Sequence, residues 1–280
     1  MPEELFSELP DTVFVKNDIN YGFAKANNRL LKLAEGFEWV LLLNPDAFLS
    51  SDCLKNLIQT TQQYPEYSVF GCRLLKGDNP VLLDGDGDCY HVSGLAWRKM
   101  HGRPAIGRQH GPQEVFSVCA AAAMYRLDAI REVGGFDEDF FCYFEDVDLG
   151  FRLRLYGYRS LLVPSAIAMH VGSASTGGPH SDFALYYGHR NLVWTFIKNM
   201  PTLFFVLFIC AHLALNVISF AWFAHMGKGR VIAAAKIDAL INIKKMWVKR
   251  RKIQRDKSVD IVGLLRLMDK SLIPRMDRLL

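Results

Sequence analysis

The chain has 280 residues, half of them hydrophobic and 22% charged, a balance that excludes a disordered polymer or a collagen-like repeat. Its six cysteines form no C-x-x-C pair and no signal peptide is legible at the start, which argues against a disulfide scaffold or structural zinc site and for a reducing compartment. The net charge of +4 conceals a split, with −6 on residues 1–200 and +10 on residues 201–280, so an acidic front and a basic rear are expected to do different work.

In the front, residues 12–16 (TVFVK) read as a short strand. A helix is expected over 23–35, with Leu30, Leu33 and Ala34 on its apolar side and Gly36 as its stop. The run WVLLL over 39–43 is continuously apolar, the pattern of a strand buried on both faces of a parallel sheet. Ser51 is expected to cap the next helix, which runs to about Tyr64 and ends before Pro65. A strand follows over 68–74. A second α/β segment covers 115–125, a helix ending near Gly134-Gly135, a helix over 146–156 and a strand over 158–163. Strand and helix alternate as in a parallel α/β sheet.

The rear reads differently. Residues 199–227 carry no Asp, Glu, Lys or Arg, and the stretch 203–224 reaches the roughly 20 apolar residues that cross a bilayer. A buried core helix is the alternative, but core helices seldom run this long with aromatics on every side. His212 and Asn216 would be expensive at mid-bilayer, which favours a helix lying in the membrane over a single crossing. Residues 225–257 hold eleven Lys/Arg and two Asp, with apolar residues recurring at three and four positions. That pattern suits a helix on an anionic leaflet, with an ordinary solvated basic helix packed on the domain as the plainer alternative. A nucleic-acid partner is not expected, because no module for one is legible.

Several groups could do chemistry. Asn44-Pro45-Asp46 directly follows the apolar strand, where α/β sheets bind ligands, and Asp46 could hold Mg²⁺ or Mn²⁺ against a diphosphate. The same tripeptide also forms a plain turn. In FFCYFEDVDLGFR (140–152), Glu145, Asp146 and Asp148 fall within four residues beside an aromatic run. Such acids suit a helix's first turn, and aromatic walls can raise a carboxyl toward general-base duty. His170 closes a strand–loop unit and could complete a metal site begun by Asp46, although a lone histidine is more often structural. Arg190 offers a cation for a diphosphate or a partner for surface acids. Asp84, Asp86 and Asp88 imitate a calcium loop, but Cys89 and Leu95 stand where glycine and glutamate are needed, leaving a turn between two strands.

In order, these pieces resemble the family 2 glycosyltransferases, especially the rhamnosyltransferase-like branch. The matching residues are NYGFAKANN (20–28), LLLNPD (41–46), AAAAMYR (120–126), GGFDE (134–138), YFEDVDLG (143–150), His170 and Arg190-Asn191, spanning roughly residues 13–200. The resemblance implies an α/β GT-A fold and inverting transfer of a sugar from a nucleotide-diphosphate donor to an acceptor hydroxyl. It implies Asp146 as catalytic base with Glu145 and Asp148 in support, and Asp46 with His170 as ligands of a divalent metal. Gly22, Phe23, Asn27, Asn44, Asp46 and Arg190 would line the donor side. Residues 1–200 would form the GT-A domain and residues 201–280 a membrane-associated tail of an apolar helix and a basic helix. A cell-envelope glycan, lipid-linked or polysaccharide, is the expected acceptor, reached at the cytoplasmic face of the membrane.

The family's first two strands, which carry the loops for the nucleotide base, have no counterpart here, so the domain is expected to be truncated at its N-terminus. Residues 12–16 and 39–43 would then pair directly or leave a gap of about 10 Å. The alternative is a catalytically impaired remnant acting as a membrane-bound binding or scaffold module.

Overall fold

The computed structural model describes residues 11–106, 111–172, 177–178 and 180–271. The front begins with α1 (Gly22–Leu33), β1 (Trp39–Leu43), β2 (Ala47–Leu49), α2 (Cys53–Gln63) and β3 (Val69–Lys76). Short strands follow: β4 (Leu83–Gly85), β5 (Asp88–Tyr90), β6 (Ala96–Arg98), β7 (Gln113–Val115) and β8 (Ala122–Arg126). Then come α3 (Leu127–Glu132), a 3₁₀ turn (Glu138–Phe140), α4 (Glu145–Leu155) and the long β9 (Ser160–His170).

The main sheet runs β1-β8-β3-β9-β2, with β4 added beside β3 and β7 beside β9. Only β3 and β9 are parallel among these pairs; the others are antiparallel. This corrects the parallel sheet expected from the apolar runs. Helices cover both faces: α2 brings Cys53 and Leu57 onto one, while α3 and α4 bring Ile130, Leu149 and Leu153 onto the other. Burial on both faces gives a continuous apolar run whatever the strand direction.

Other expectations shift for local reasons. Residues 12–16 form no strand and lie mostly exposed, Val13 at 71%. β1 is an edge strand, half-buried, and no strand pairs with its outer side among the described residues. Neither a direct pairing with residues 12–16 nor a gap between two strands is therefore seen. Asp52, not Ser51, sits at the N-cap of α2, without a side-chain capping bond. The segment 115–125 divides into β7 and β8 because the backbone between them turns to other partners: Ser117 O accepts from Asp88 N at 2.9 Å and Ala121 O from Asn44 N at 2.9 Å. β9 runs past Pro164, since a register shift against β3 between Cys72 and Arg73 absorbs the missing donor.

Behind the sheet lie α5 (Asp182–Asn199), α6 (Thr202–His225), α7 (Gly229–Ile241), α8 (Ile243–Asp256) and α9 (Ile261–Leu267). α6 buries one stripe, Phe204, His212, Leu215, Ser219 and Phe223, and exposes Val206, Leu213, Val217, Phe220 and Trp222 on the others. Among the described helices it alone is long and apolar enough to cross a membrane. The basic segment after it is two helices, broken at Asn242. Part of its charge faces inward: Arg250 donates to Ile197 O at 2.8 Å, and Lys245 and Lys249 each reach Asp139 at 2.5 Å. The basic rear is thus bound in part to the acidic front.

Candidate active site

A cavity of about 1060 Å³ opens at the ends of β1, β6 and β9 and at the start of α4. Its volume is near the top of the range for small-molecule sites. One corner is built by strand register. β2 pairs antiparallel with the end of β9 so that Ala47 faces His170, and Val171 N donates to Asp46 O at 3.0 Å. His170 Nε2 consequently lies 3.5 Å from Asp46 Oδ1. Its Nδ1 meets Asp84 Oδ2 at 2.8 Å. Asp84 is also held by Arg98 and lies 3.4 Å from His101. Burial raises the Asp84 carboxyl, but hydrogen bonds from His101 and His170 and the charge of Arg98 outweigh it and hold the group well below the ordinary carboxylate range.

A carboxylate behind the histidine fixes which ring nitrogen faces the cavity. Nε2 of His170 and a carboxylate oxygen of Asp46 then converge, as two ligands of one divalent ion do. Among the described residues no group of three or more His, Cys, Asp or Glu is arranged to hold a metal ion by itself. Such a pair suits Mg²⁺ or Mn²⁺, whose remaining positions are commonly filled by phosphate and water oxygens.

The other corner is a strained turn. Phe141, Tyr143 and Phe144 have φ of 65°, 62° and 67°, left-handed values that cost non-glycine residues about 1–3 kcal/mol each. The adjoining residues of α5 hold it. Asn191 Nδ2 contacts the carbonyls of Phe140, Cys142 and Tyr143 at 2.9, 2.9 and 2.7 Å. Arg190 Nη2 donates to Asp139 O at 2.9 Å and Phe140 O at 3.1 Å, with its guanidinium 4.1 Å over Trp194. Gly22 meets the same turn from α1: a Cβ there would lie 2.5 Å from the Phe141 ring.

The turn delivers Glu145 and Asp146 into the cavity at the start of α4. Asp146 accepts from Val147 N at 2.8 Å and Ala120 N at 3.3 Å. Burial and the neighbouring Asp146 push Glu145 well above the usual carboxylate range, and its Oε2 has no hydrogen-bond partner among the described residues. Asp88 also lines the cavity, accepting from Ser117 Oγ at 3.0 Å. Burial, then the Asp146 charge, push its carboxyl up to about 7.

Of the residues expected at the site, Gly22, Phe23, Asn44, Asp46, Glu145, Asp146 and His170 line this one cavity. Three do not. Asn27 bonds back to Phe23 O at 2.9 Å within its own helix. Asp148 is fully buried beneath the site, 2.6 Å from Lys198 and 2.9 Å from Arg152. Arg190 faces the carbonyls of the turn and does not line the cavity. Asp84, Asp88 and Arg98 enter the site without having been expected there. A turn at residues 86–87 does join β4 to β5, but three acids at alternate positions, followed by Arg98 and His101, also signal buried paired charges.

The sequence model of the family described as glycosyl transferase family group 2 matches residues 39–227. An N-acetylglucosaminyl-diphospho-decaprenol L-rhamnosyltransferase of Mycobacterium tuberculosis is 28% identical over 215 residues, 66% of this chain and 67% of that protein. The rhamnosyltransferase WbbL of Escherichia coli is 30% identical over 164 residues, 54% of this chain and 61% of that one. The crystal structure of GalNAc-T7 with UDP, GalNAc and Mn²⁺ shares the fold, with a TM-score of 0.50 at 13% identity over 66% of this chain and 36% of the other. The fold is GT-A, and with two thirds of its length matched the chain belongs to glycosyl transferase family group 2.

Proposed function

We propose that this glycosyltransferase moves a sugar, rhamnose by analogy with its relatives, from a nucleoside diphosphate to a hydroxyl of a lipid-linked cell-envelope glycan, with inversion. The observation that carries this reading is the meeting in one cavity of the Asp46–His170 pair and the Glu145–Asp146 acids. Asp146 accepts the proton of the acceptor hydroxyl as the new oxygen–carbon bond forms at the anomeric carbon. The bond from that carbon to the diphosphate oxygen breaks on the opposite face, and the nucleoside diphosphate leaves with the electron pair. One displacement gives inversion. Asp46 and His170 would hold the divalent cation, which offsets the charge gathering on the leaving diphosphate. Asp84 and Arg98 keep His170 oriented.

The chain works at the cytoplasmic face of the membrane, with α6 lying in the leaflet. Its exposed apolar side supports this, as do the exposed cations Lys244, Arg251 and Lys252 on α8. The decisive measurement is sugar transfer by full-length Asp146→Asn. A loss of about 10²–10⁴-fold in kcat, with Mn²⁺-dependent nucleotide-sugar binding retained, is expected of a missing general base. Turnover at the wild-type level would remove Asp146 from the role.

A further inference from the structure

The two sides of the cavity differ in chemistry. Asn44, Asp46 and His170 make one side polar, while Phe141, Tyr143 and Phe183 make the other aromatic. The rings form one connected surface. Phe141 stacks on Tyr187 at 5.2 Å, Phe183 lies 4.8 Å from Tyr187, and Tyr143 lies 6.4 Å from Phe183. Phe183 is 38% exposed. The strain at Phe141, Tyr143 and Phe144 maintains this surface, and Asn191 and Arg190 hold the strain in place.

Beside the rings stands an acid with one oxygen unpartnered. Glu145 is 7% exposed, lines the same cavity, and leaves Oε2 with no hydrogen bond among the described residues. An aromatic face next to an acid that lines the same cavity matches a pyranose: the electron-rich ring faces attract the sugar's C–H side, and the carboxyl group takes one of its hydroxyls.

The location adds a direction of approach. Phe183 sits in the first turn of α5, beside Asp182, which pairs with Lys228 at 2.7 Å just beyond the end of α6. Leu185 packs with Phe223 of α6 and Ile232 of α7. The aromatic side of the cavity therefore adjoins the turn that ends the long apolar helix.

We propose that the aromatic surface of Phe141, Tyr143 and Phe183, with Glu145, is the acceptor subsite and receives the terminal sugar of a lipid-linked glycan from the α6–α7 end. This rests on the transfer reading above. It assigns Phe183 a role in acceptor binding and none in holding the donor.

The test uses the full-length chain in detergent micelles, titrated with N-acetylglucosaminyl-diphospho-farnesol and, separately, with a nucleoside diphosphate-rhamnose plus Mn²⁺. Tryptophan fluorescence reports both titrations, since Trp97 lines the cavity. Phe183→Ala is expected to weaken the lipid-linked probe about tenfold and leave donor affinity within about twofold. Phe183→Trp should restore the probe's affinity. Unchanged probe binding in Phe183→Ala, an equal loss of donor binding, or no probe binding by the wild type would each overturn the assignment. Probe binding that depends on Phe183, in a chain that binds no nucleotide sugar, would support the subsite and sink the transfer reading instead.

Discussion

The two acidic corners of the cavity are held by different means. At the Asp46–His170 corner every support comes from the strands: the β2–β9 register, the Val171–Asp46 backbone bond and the buried Asp84 on β4. At the Glu145–Asp146 corner the support comes from α5, through the Arg190 and Asn191 contacts on five carbonyl distances between 2.7 and 3.1 Å. The first corner is a product of sheet pairing and the second of a clamp. Sheet register is cooperative and hard to disturb singly, whereas a clamp fails with one side chain. The two corners should therefore respond separately to mutation.

The largest separation is expected from Asn191→Ala. Removing the amide strands the carbonyls of Phe140, Cys142 and Tyr143 and lets the left-handed turn relax. Turnover should fall about 10²-fold, as displacements near 1 Å at reacting groups do, while Mn²⁺ and nucleotide-sugar binding persist. Parallel loss of both would break the distinction between the corners.

Asp84→Asn probes the opposite corner with a smaller effect. The substitution removes the carboxylate behind His170 but leaves the turn at 140–144 untouched. Apparent Mn²⁺ affinity should weaken about tenfold, the lower end for such a supporting group, with kcat near wild type once the metal saturates. A drop in kcat at saturating Mn²⁺ would mean that Asp84 reaches across to the base.

The smallest effect concerns Asp88, which lies four residues from Asp84 and shifts in the opposite direction. Its carboxyl stands at about 7 in the folded chain against an ordinary 3.8. The folded state thus holds this proton more tightly than the unfolded state does. The stabilisation is complete below about pH 4 and drains away as pH rises toward about 7. Asp88→Asn keeps an acceptor for Ser117 Oγ and cannot ionise. It should melt a few degrees above wild type near pH 8 and show no such gain near pH 4. The same gain at both pH values would detach the effect from ionisation.

Much of this was legible in the sequence for physical reasons. WVLLL and the long apolar helix are uncharged apolar runs, the helix of 146–156 opens on a cluster of acids, and each forms within one or two residues of its expected place. The closeness of Asp46 and His170 was also readable, because both end strands and strand ends gather on one edge of a sheet. Direction was not, since burial on two faces looks the same in parallel and antiparallel strands. Nor was the division among three neighbouring acids. Glu145 and Asp146 turn to the cavity, while Asp148 meets Arg152 one turn along its own helix and also Lys198 and Asn199, partners brought by packing against α5. Arg190 looked like an anion grip because nothing local says that a guanidinium will stack on Trp194 and bond to backbone carbonyls.

The position of α5 has a consequence for gene shuffling. The helix carries Phe183 near its start, Arg190 and Asn191 at its middle and Lys198 near its end, and α7 and α8 close over it through Asp238 and Arg250. A crossover between β9 and α5 would pair one parent's acids with another parent's clamp. A crossover near residue 200, where the charge reverses, would keep the clamp but exchange the cations that neutralise Asp137 and Asp139. Recombination with a relative therefore inherits residues 137–256 as a single block, and libraries that respect its edges should retain the largest share of active progeny.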